Sequence, residues 1–191
     1  QICFALLALA TELLNLTKQS IQYFNSASGH IIKSSLLIAL VMESSYTIQK
    51  AETQHLQKIA DNIAKMSFET EKYKTNTDLV LTSLKEILQK PEYGVFYIAL
   101  DTNQVIASLL VTFEFNFIEN ATFYWIQSLY VLPEYRKRGI FASMYKRIHS
   151  DAKTEGAKFV KLYVAETNLT GIQVYKKLQM DPVQAVFYNI N

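Results

Sequence analysis

The sequence predicts a mixed α/β fold of the α+β kind, in which a mostly antiparallel sheet carries helices on both faces. From Tyr46 onward, strand-like runs alternate with segments of helical periodicity. Three of the predicted strands are consecutive and joined by short polar turns, which favours an antiparallel meander. Half of the 191 residues are hydrophobic, so the chain can bury one substantial core.

The first elements of this domain are one strand and two helices. Residues 46–51 ("YTIQKA") alternate with a period of two, which is typical of a strand. We expect Thr53 to cap a helix that continues to about Phe68. Asp78 is expected to cap a second helix, which Pro91 ends. The predicted apolar faces are Leu56, Ile59, Ile63 and Met66 in the first helix, and Leu79, Leu81, Leu84 and Leu88 in the second.

The later elements complete the sheet. Residues 94–100 and 104–115 flank the turn "DTN" and form a hairpin, and a third strand follows at 122–132. A helix at 139–153 has one apolar stripe and Gly156 as its end signal. That stripe consists of Ile140, Met144, Ile148 and Ala152. The remaining predicted elements are a strand at 158–164, a helix at 169–178 and a strand at 183–190.

Residues 1–45 differ from the rest of the chain in having few charges and two apolar runs, at 2–10 and 36–42. Both runs are shorter than the roughly 20 residues that span a bilayer. We therefore expect a helical, apolar N-terminal extension, a separate domain at 46–191 and no membrane partner. A membrane-tethered domain, attached through the extension, is the alternative.

The composition bears on three kinds of site: nucleic-acid surfaces, disulfides and metal sites. A net charge of +2 is too small to indicate a nucleic-acid surface, so any basic site must be local. The single cysteine, Cys3, excludes an internal disulfide and suits a reducing compartment, from which we predict a cytoplasmic protein. The three histidines are scattered without metal-ligand spacing, so we expect no metal.

The stretch "LPEYRKRGIF" (residues 132–141) places Arg136, Lys137 and Arg138 between a strand and a helix. A helix N-terminus presents unpaired N–H groups and a partial positive charge, and Gly139 lets a ligand approach the backbone. These features favour a pyrophosphate site. A solvated basic turn explains the same charges.

Two segments carry a family resemblance. "IQSLYVLPEYRKRGIF" resembles motif A of the GNAT superfamily of acyl-CoA-dependent N-acetyltransferases, Q/R-x-x-G-x-G/A, with Phe141 where Gly or Ala is usual. "NLTGIQVYKKLQM" (residues 168–180) is similar to the N-x-x-A-x-x-x-Y segment of that family, with Gly171 at the Ala position and Gln179 and Met180 replacing Gly-Phe. The resemblance covers about 145 residues from Tyr46 and leaves out residues 1–45.

The resemblance implies acetyl-CoA as cosubstrate and two strands that splay apart to form its cleft. It implies that backbone groups of Leu129 and Val131 contact the thioester and the pantetheine arm, and that Asn168 contacts the same arm. The pyrophosphate would be bound by the loop and the first turn of the helix. The residues so implicated are Arg136, Lys137, Arg138, Gly139, Ile140, Phe141 and Ala142.

Catalytic roles follow from the same resemblance. Leu129 would donate its backbone N–H to the thioester carbonyl, and Tyr175 would protonate the departing thiolate. Tyr175 packing on the sheet as an ordinary amphipathic-helix residue is the alternative. Several family members carry Glu at the position of Gln127, which cannot act as a base. Glu114, on the neighbouring strand, is the nearest acidic candidate.

The expected function is acetyl transfer from acetyl-CoA to a primary amine of a small molecule, directly within a ternary complex. A protein lysine or N-terminal acetyltransferase and an inactive acyl-CoA-binding module are the alternatives. The acceptor is therefore a small-molecule or peptide amine, and a homodimer is left open. Candidate aromatic residues for the acceptor pocket are Tyr93, Phe115, Phe117 and Trp125.

Overall fold

The computed structural model describes residues 46–183 of the chain. Five strands form one sheet in the order β1-β2-β3-β4-β5, in which only the β4–β5 pair is parallel. The strands are β1 (Tyr46–Lys50), β2 (Val95–Asp101), β3 (Gln104–Asn116), β4 (Ala121–Val131) and β5 (Phe159–Leu162). The helices are α1 (Leu56–Glu71), α2 (Thr77–Gln89), α3 (Ile140–Thr154) and α4 (Leu169–Lys177). The predicted mixed, mostly antiparallel sheet is confirmed.

Helices cover both faces of the sheet, as strand β2 shows. Phe96 and Ile98 pack in one buried cluster with residues of α1 and α2. Tyr97 and Ala99 pack in a second cluster with residues of α3, because successive strand side chains point to opposite faces. The buried stripe of α3 contains the four predicted residues, each at most 2% exposed. The central strands are therefore packed between two hydrophobic layers, one on each face of the sheet.

Both predicted helix caps are wrong. The first helical segment is a 3-10 turn, Thr53–His55, that precedes α1, and the backbone N–H of Glu52 donates to Nδ1 of His55 at 2.9 Å. Asn76 caps α2, since its Oδ1 accepts from the backbone N–H of Asp78 and of Leu79, both at 3.1 Å. Asp78 instead lies in the first turn, where its negative charge is favoured by the helix dipole.

The apolar face of α2 also differs from its prediction. Leu84 is 2% exposed, whereas Leu79 is 65% and Leu88 is 40% exposed. Leu81, which was predicted, packs against the first cluster with Leu84, and Val80 and Ile87 take the places of Leu79 and Leu88. The helix thus contacts the sheet along a stripe turned by about one residue from the predicted one.

Two predictions lie outside the described residues. They are the helical extension at residues 1–45 and all but the first residue of the strand at 183–190. Within residues 46–183, no helix has both the length and the apolar character that crossing a membrane requires.

Candidate active site

The two parallel strands of the sheet separate partway along their length. The β4–β5 pairing runs from Phe123 opposite Phe159 to Ile126 opposite Leu162, where β5 ends. Strand β4 continues to Val131, so its last residues have no strand on that side within residues 46–183. An exposed strand edge of this kind can pair with an extended amide-containing ligand. This is the splay that the resemblance implied.

A β-bulge reorients the backbone of β4 at this edge. Between two paired positions β3 advances from Ser108 to Leu110, whereas β4 advances by three residues, from Gln127 to Tyr130. Ser128 takes up the extra length with a left-handed φ of 51°. Bulges of this type re-aim the groups that follow them and are common beside active sites.

Beyond the bulge, the hydrogen-bond pattern sets the direction of the backbone groups. The backbone N–H of Leu132 donates to the carbonyl of Ile106 on β3 at 2.9 Å. In an antiparallel ladder the bonded residues alternate with residues that point the other way. The backbone N–H and C=O of Val131, between the bonded residue Leu132 and the bulge, therefore face the open edge.

The loop after β4 ends at the N-terminus of α3. Gly139 is the N-cap residue, with a left-handed φ of 75°, and no side chain caps the helix. The first N–H groups of α3, those of Ile140, Phe141 and Ala142, consequently have no partner within the helix. The positive end of the helix dipole lies at the same point, so the loop can bind an anion.

The side chain of Arg136, in this loop, makes contacts with three other residues. Its Nε donates to the carbonyl oxygen of Val131 at 2.9 Å, and one terminal nitrogen pairs with Glu69 at 2.7 Å. The guanidinium lies over the ring of Tyr130 at 5.3 Å, and the Tyr130 hydroxyl also donates to Glu69, at 2.6 Å. These hydrogen bonds, the Tyr130 bond foremost, lower the pKa of Glu69. Arg136 therefore joins the loop to α1 and covers one carbonyl of the open edge.

The other two cations of the loop differ from each other. Arg138 donates to the carbonyl oxygen of Glu134 at 2.8 Å and lies over the ring of Tyr135 at 5.0 Å. Lys137 is exposed, has a left-handed φ of 62° and contacts no acidic or aromatic partner in the described part of the chain. Lys137 is thus the loop cation with most freedom to meet an incoming anion.

Phe141 turns into the core. Its side chain is 7% exposed and belongs to the second buried cluster, the one that contains residues of α3 (the α3-side cluster). The ring lies edge-on to that of Tyr175, with centroids 5.6 Å apart, and is 6.3 Å from the ring of Tyr145. The bulky residue therefore leaves the positive end of α3 uncovered.

Helix α4 carries the remaining predicted groups. Asn168 caps it, accepting the backbone N–H of Gly171 at 2.9 Å, and a Cβ on Gly171 would approach within 2.9 Å of the Asn168 amide nitrogen. Tyr175 is half-buried against the α3-side cluster, and burial raises the pKa of its phenol. Within residues 46–183 no hydrogen bond occupies that hydroxyl. Tyr175 is accordingly protonated at neutral pH and able to donate.

Glu114 is not brought to this edge. Its carboxylate accepts a hydrogen bond from Nε1 of Trp125. It lies five residues along β3 from Leu109, the residue opposite the bulge, which corresponds to about 17 Å from the level of Leu129. Gln127 is closer, and its amide donates to Thr112 at 2.6 Å.

The aromatic candidates for an acceptor pocket are likewise dispersed. Phe115 and Phe117, at the β3–β4 connection, are 65% and 80% exposed, and Tyr93 is 50% exposed before β2. Trp125 is half-buried on β4. The described residues therefore do not assemble these four side chains into one pocket.

Comparison with protein families identifies this arrangement. A family model described as "Acetyltransferase (GNAT) family" matches residues 56–180. The chain belongs to this family. The match spans α1 to the end of α4, so it contains the splayed edge, the basic loop and Tyr175. No curated protein sequence matches the chain significantly.

Solved structures share the fold. A "possible acetyltransferase" from Clostridium difficile 630 is 27% identical, with 76% of this chain and 97% of that chain covered and a TM-score of 0.71. A predicted acetyltransferase from Clostridium acetobutylicum with acetyl-CoA is 20% identical (76% and 96% covered, TM-score 0.61). An aminoglycoside acetyltransferase from an uncultured soil metagenomic sample, in complex with sisomicin, is 13% identical (78% and 98% covered, TM-score 0.66).

Some features of the site have no signal in the sequence. Glu69 reaches Tyr130 and Arg136 from 61 and 67 residues away, and only the tertiary structure brings the three together. The bulge at Ser128 occurs in a run that reads as an uninterrupted strand. In the described range, no group of three or more His, Cys, Asp or Glu side chains is arranged to hold a metal ion.

Proposed function

We propose that this acetyltransferase transfers the acetyl group of acetyl-CoA to a primary amine of a small molecule, directly within a ternary complex. The observation that carries the proposal is the continuity of the site. The open edge of β4 leads to the uncapped N-terminus of α3, and Tyr175 packs against Phe141 in the first turn of that helix. The edge, the helix end and the phenol together offer backbone hydrogen-bonding groups, an anion site and a proton donor.

The residues present fit coenzyme A. The backbone N–H groups of residues 140–142 and the ammonium group of Lys137 bind the pyrophosphate. The N–H of Val131 pairs with an amide of the pantetheine arm, while Arg136 holds the carbonyl of Val131. Asn168 uses its oxygen as a helix cap, which leaves its amide nitrogen to contact the arm.

Leu129 and Tyr175 carry the chemical step. The N–H of Leu129 donates to the thioester carbonyl oxygen and stabilises the negative charge that develops as the amine attacks. A C–N bond forms, the C–S bond breaks, and Tyr175 gives its proton to the departing sulfur. Because Glu114 lies about 17 Å away along the strand, we leave it out of the proton path. The amine attacks in its neutral form and loses one of its two N–H protons to water as the amide forms, and the Tyr175 phenolate regains a proton from water.

A small-molecule acceptor is supported by fold-level likeness to the aminoglycoside enzyme, at 13% identity. The acceptor amine itself is assigned only as a class. The cytoplasmic location stays a prediction from the sequence, and the homodimer stays open.

A kinetic comparison of two tyrosine variants tests the proposal. Wild-type protein is screened for acetyl-CoA consumption with small amines and with peptides, and Tyr175→Phe is compared with Tyr46→Phe. Tyr46 is also half-buried against the α3-side cluster, and its hydroxyl bonds that of Ser143 at 3.1 Å. We expect Tyr175→Phe to lower kcat by about 100-fold or more at unchanged Kd for CoA. Tyr46→Phe should keep kcat within about 3-fold.

Three results would contradict the proposal. Tight CoA binding without turnover of any acceptor would indicate a binding module. A clear preference for peptide acceptors would indicate a protein acetyltransferase. Equal kcat losses in the two tyrosine variants would remove Tyr175 from the role of acid.

A further inference from the structure

Phe141 is the second residue of α3, and its backbone and its side chain lie in different environments. The backbone N–H lies at the positive, uncapped end of the helix. The side chain is buried and meets the ring of Tyr175 at 5.6 Å with an interplanar angle of 76°. This is the edge-to-face geometry that aromatic pairs prefer.

Tyr175 packs against the α3-side cluster, but within residues 46–183 no hydrogen bond fixes the direction of its ring. Its hydroxyl has no hydrogen-bond partner among residues 46–183. Helix α4 has only nine residues, and none of them is fully buried. A proton donor must lie within hydrogen-bond reach of its acceptor, and misplacement by about 1 Å costs on the order of 100-fold in rate. The edge-to-face contact is therefore a directional restraint that can set the position of the phenol.

We propose that Phe141 is a positioning residue for Tyr175, holding the phenol where it can protonate the departing thiolate. The inference rests on the proposed function, in which Tyr175 is the acid. It also links two parts of the site, because the backbone of Phe141 belongs to the pyrophosphate loop and its ring belongs to the support of the acid. The bulky side chain at this position is thus part of the catalytic arrangement.

Replacement of Phe141 by Leu and by Met tests this role. Leu and Met retain much of the apolar volume but lack an aromatic edge. The free energy of an edge-to-face aromatic pair, beyond that of burying the rings, corresponds to up to about 10-fold in an equilibrium constant. If that free energy holds the phenol in its reactive position, both variants should lower kcat by about 3- to 10-fold. The Kd for CoA and the KM for the amine should stay unchanged, since the backbone of the loop is kept.

Phe96→Leu is the matched control. Phe96 has the same 7% exposure but belongs to the other cluster, which contains α1 and α2 residues. It should lose comparable stability and keep its kcat. In the Tyr175→Phe background, Phe141→Leu should cause no additional loss of kcat, because the residue acts through Tyr175.

A measurement without turnover separates this inference from the proposed function. Tyrosine labelled with 13C at Cζ reports the titration of Tyr175 by NMR, and the signal is assigned by its absence in Tyr175→Phe. Burial is the cause of the raised pKa of Tyr175. The titratable groups on neighbouring helices, Tyr145 and His149 of α3 and Lys176 and Lys177 of α4, are not among its causes. Leu is smaller than Phe and brings water closer to the phenol, so Phe141→Leu should shift this titration toward the ordinary tyrosine range.

The outcomes are distinct. A wild-type protein without turnover refutes the proposed function, and the NMR titration still tests the contact. The positioning role is overturned if Phe141→Leu leaves both kcat and the Tyr175 titration at their wild-type values. It is also overturned if Phe96→Leu lowers kcat equally, or if the double variant loses a further 3-fold or more.

Discussion

A pair of glycines at the two ends of α3 allows the anion site to be separated from backbone strain. Gly139 precedes the helix with φ +75°, and Gly156 follows it with φ +76°. A Cβ at either position would meet no atom within 4 Å. Alanine therefore introduces strain but no steric clash at both positions. An L-residue in this conformation costs about 1 kcal/mol, so each variant should unfold about 2–4 °C lower.

Only Gly139 lies at the positive end of the helix. An added Cβ there keeps the pyrophosphate from approaching the backbone N–H groups. Losing one charge-assisted hydrogen bond costs about 1.5–3 kcal/mol, which corresponds to a roughly 10- to 100-fold higher Kd for CoA. Gly156→Ala should leave the Kd unchanged, because its position is at the opposite end of α3.

Calorimetric titration with CoA and denaturant unfolding of the same samples measure the two effects. Pantetheine, which has no pyrophosphate, serves as a second ligand whose binding both variants should leave unchanged. Wild-type affinity for CoA in Gly139→Ala would refute the assignment of the loop. So would an equal loss of affinity in Gly156→Ala, since strain would then explain both.

Two further predictions concern single side chains. Lys137→Gln should raise the Kd for CoA about 3- to 10-fold at low salt and by less at about 0.5 M salt, because salt screens the lost charge. The free energy of unfolding should stay unchanged. An increase in Kd that does not depend on salt would contradict this prediction. Burial, with the hydrogen bond to Glu69, raises the pKa of Tyr130 to about 12. Its stabilising contribution is therefore complete below about pH 10 and is lost as the pH rises toward 12. Denaturant unfolding at pH 8–12 should show a smaller alkaline loss in Tyr130→Phe, and an identical loss would contradict this.

Periodicity predicted the elements well where one stripe or one alternation decides burial. In α3 the predicted stripe is the buried one, because a helix that packs on a sheet buries residues three and four apart. The helix caps failed for a local reason. Glu52, Thr53, Asn76 and Asp78 all carry side-chain oxygens near a helix start, and the backbone angles decide which of them caps.

The site was predictable to the extent that it depends on the backbone. Gly139 has the left-handed conformation that a glycine at a strand-to-helix junction suggests, and the β4–β5 splay agrees with the resemblance. The sequence predicts Glu114 as the nearest acidic candidate because it lies on the adjacent strand. Residues on neighbouring strands lie close together only near paired positions. The register pairs Glu114 with Phe123, which is far along the strand from Leu129.

The sequence by itself determined the element order within residues 46–183, the family and the basic loop, since these depend on periodicity and on residues adjacent in the chain. The tertiary structure alone decided where long side chains point. Phe141 could have covered the helix N-terminus or entered the core, and packing against Tyr145 and Tyr175 places it in the core. Arg136 was expected to face a phosphate, and the distant Glu69 turns it toward α1. Such choices depend on partners far away in the sequence, which no local pattern records.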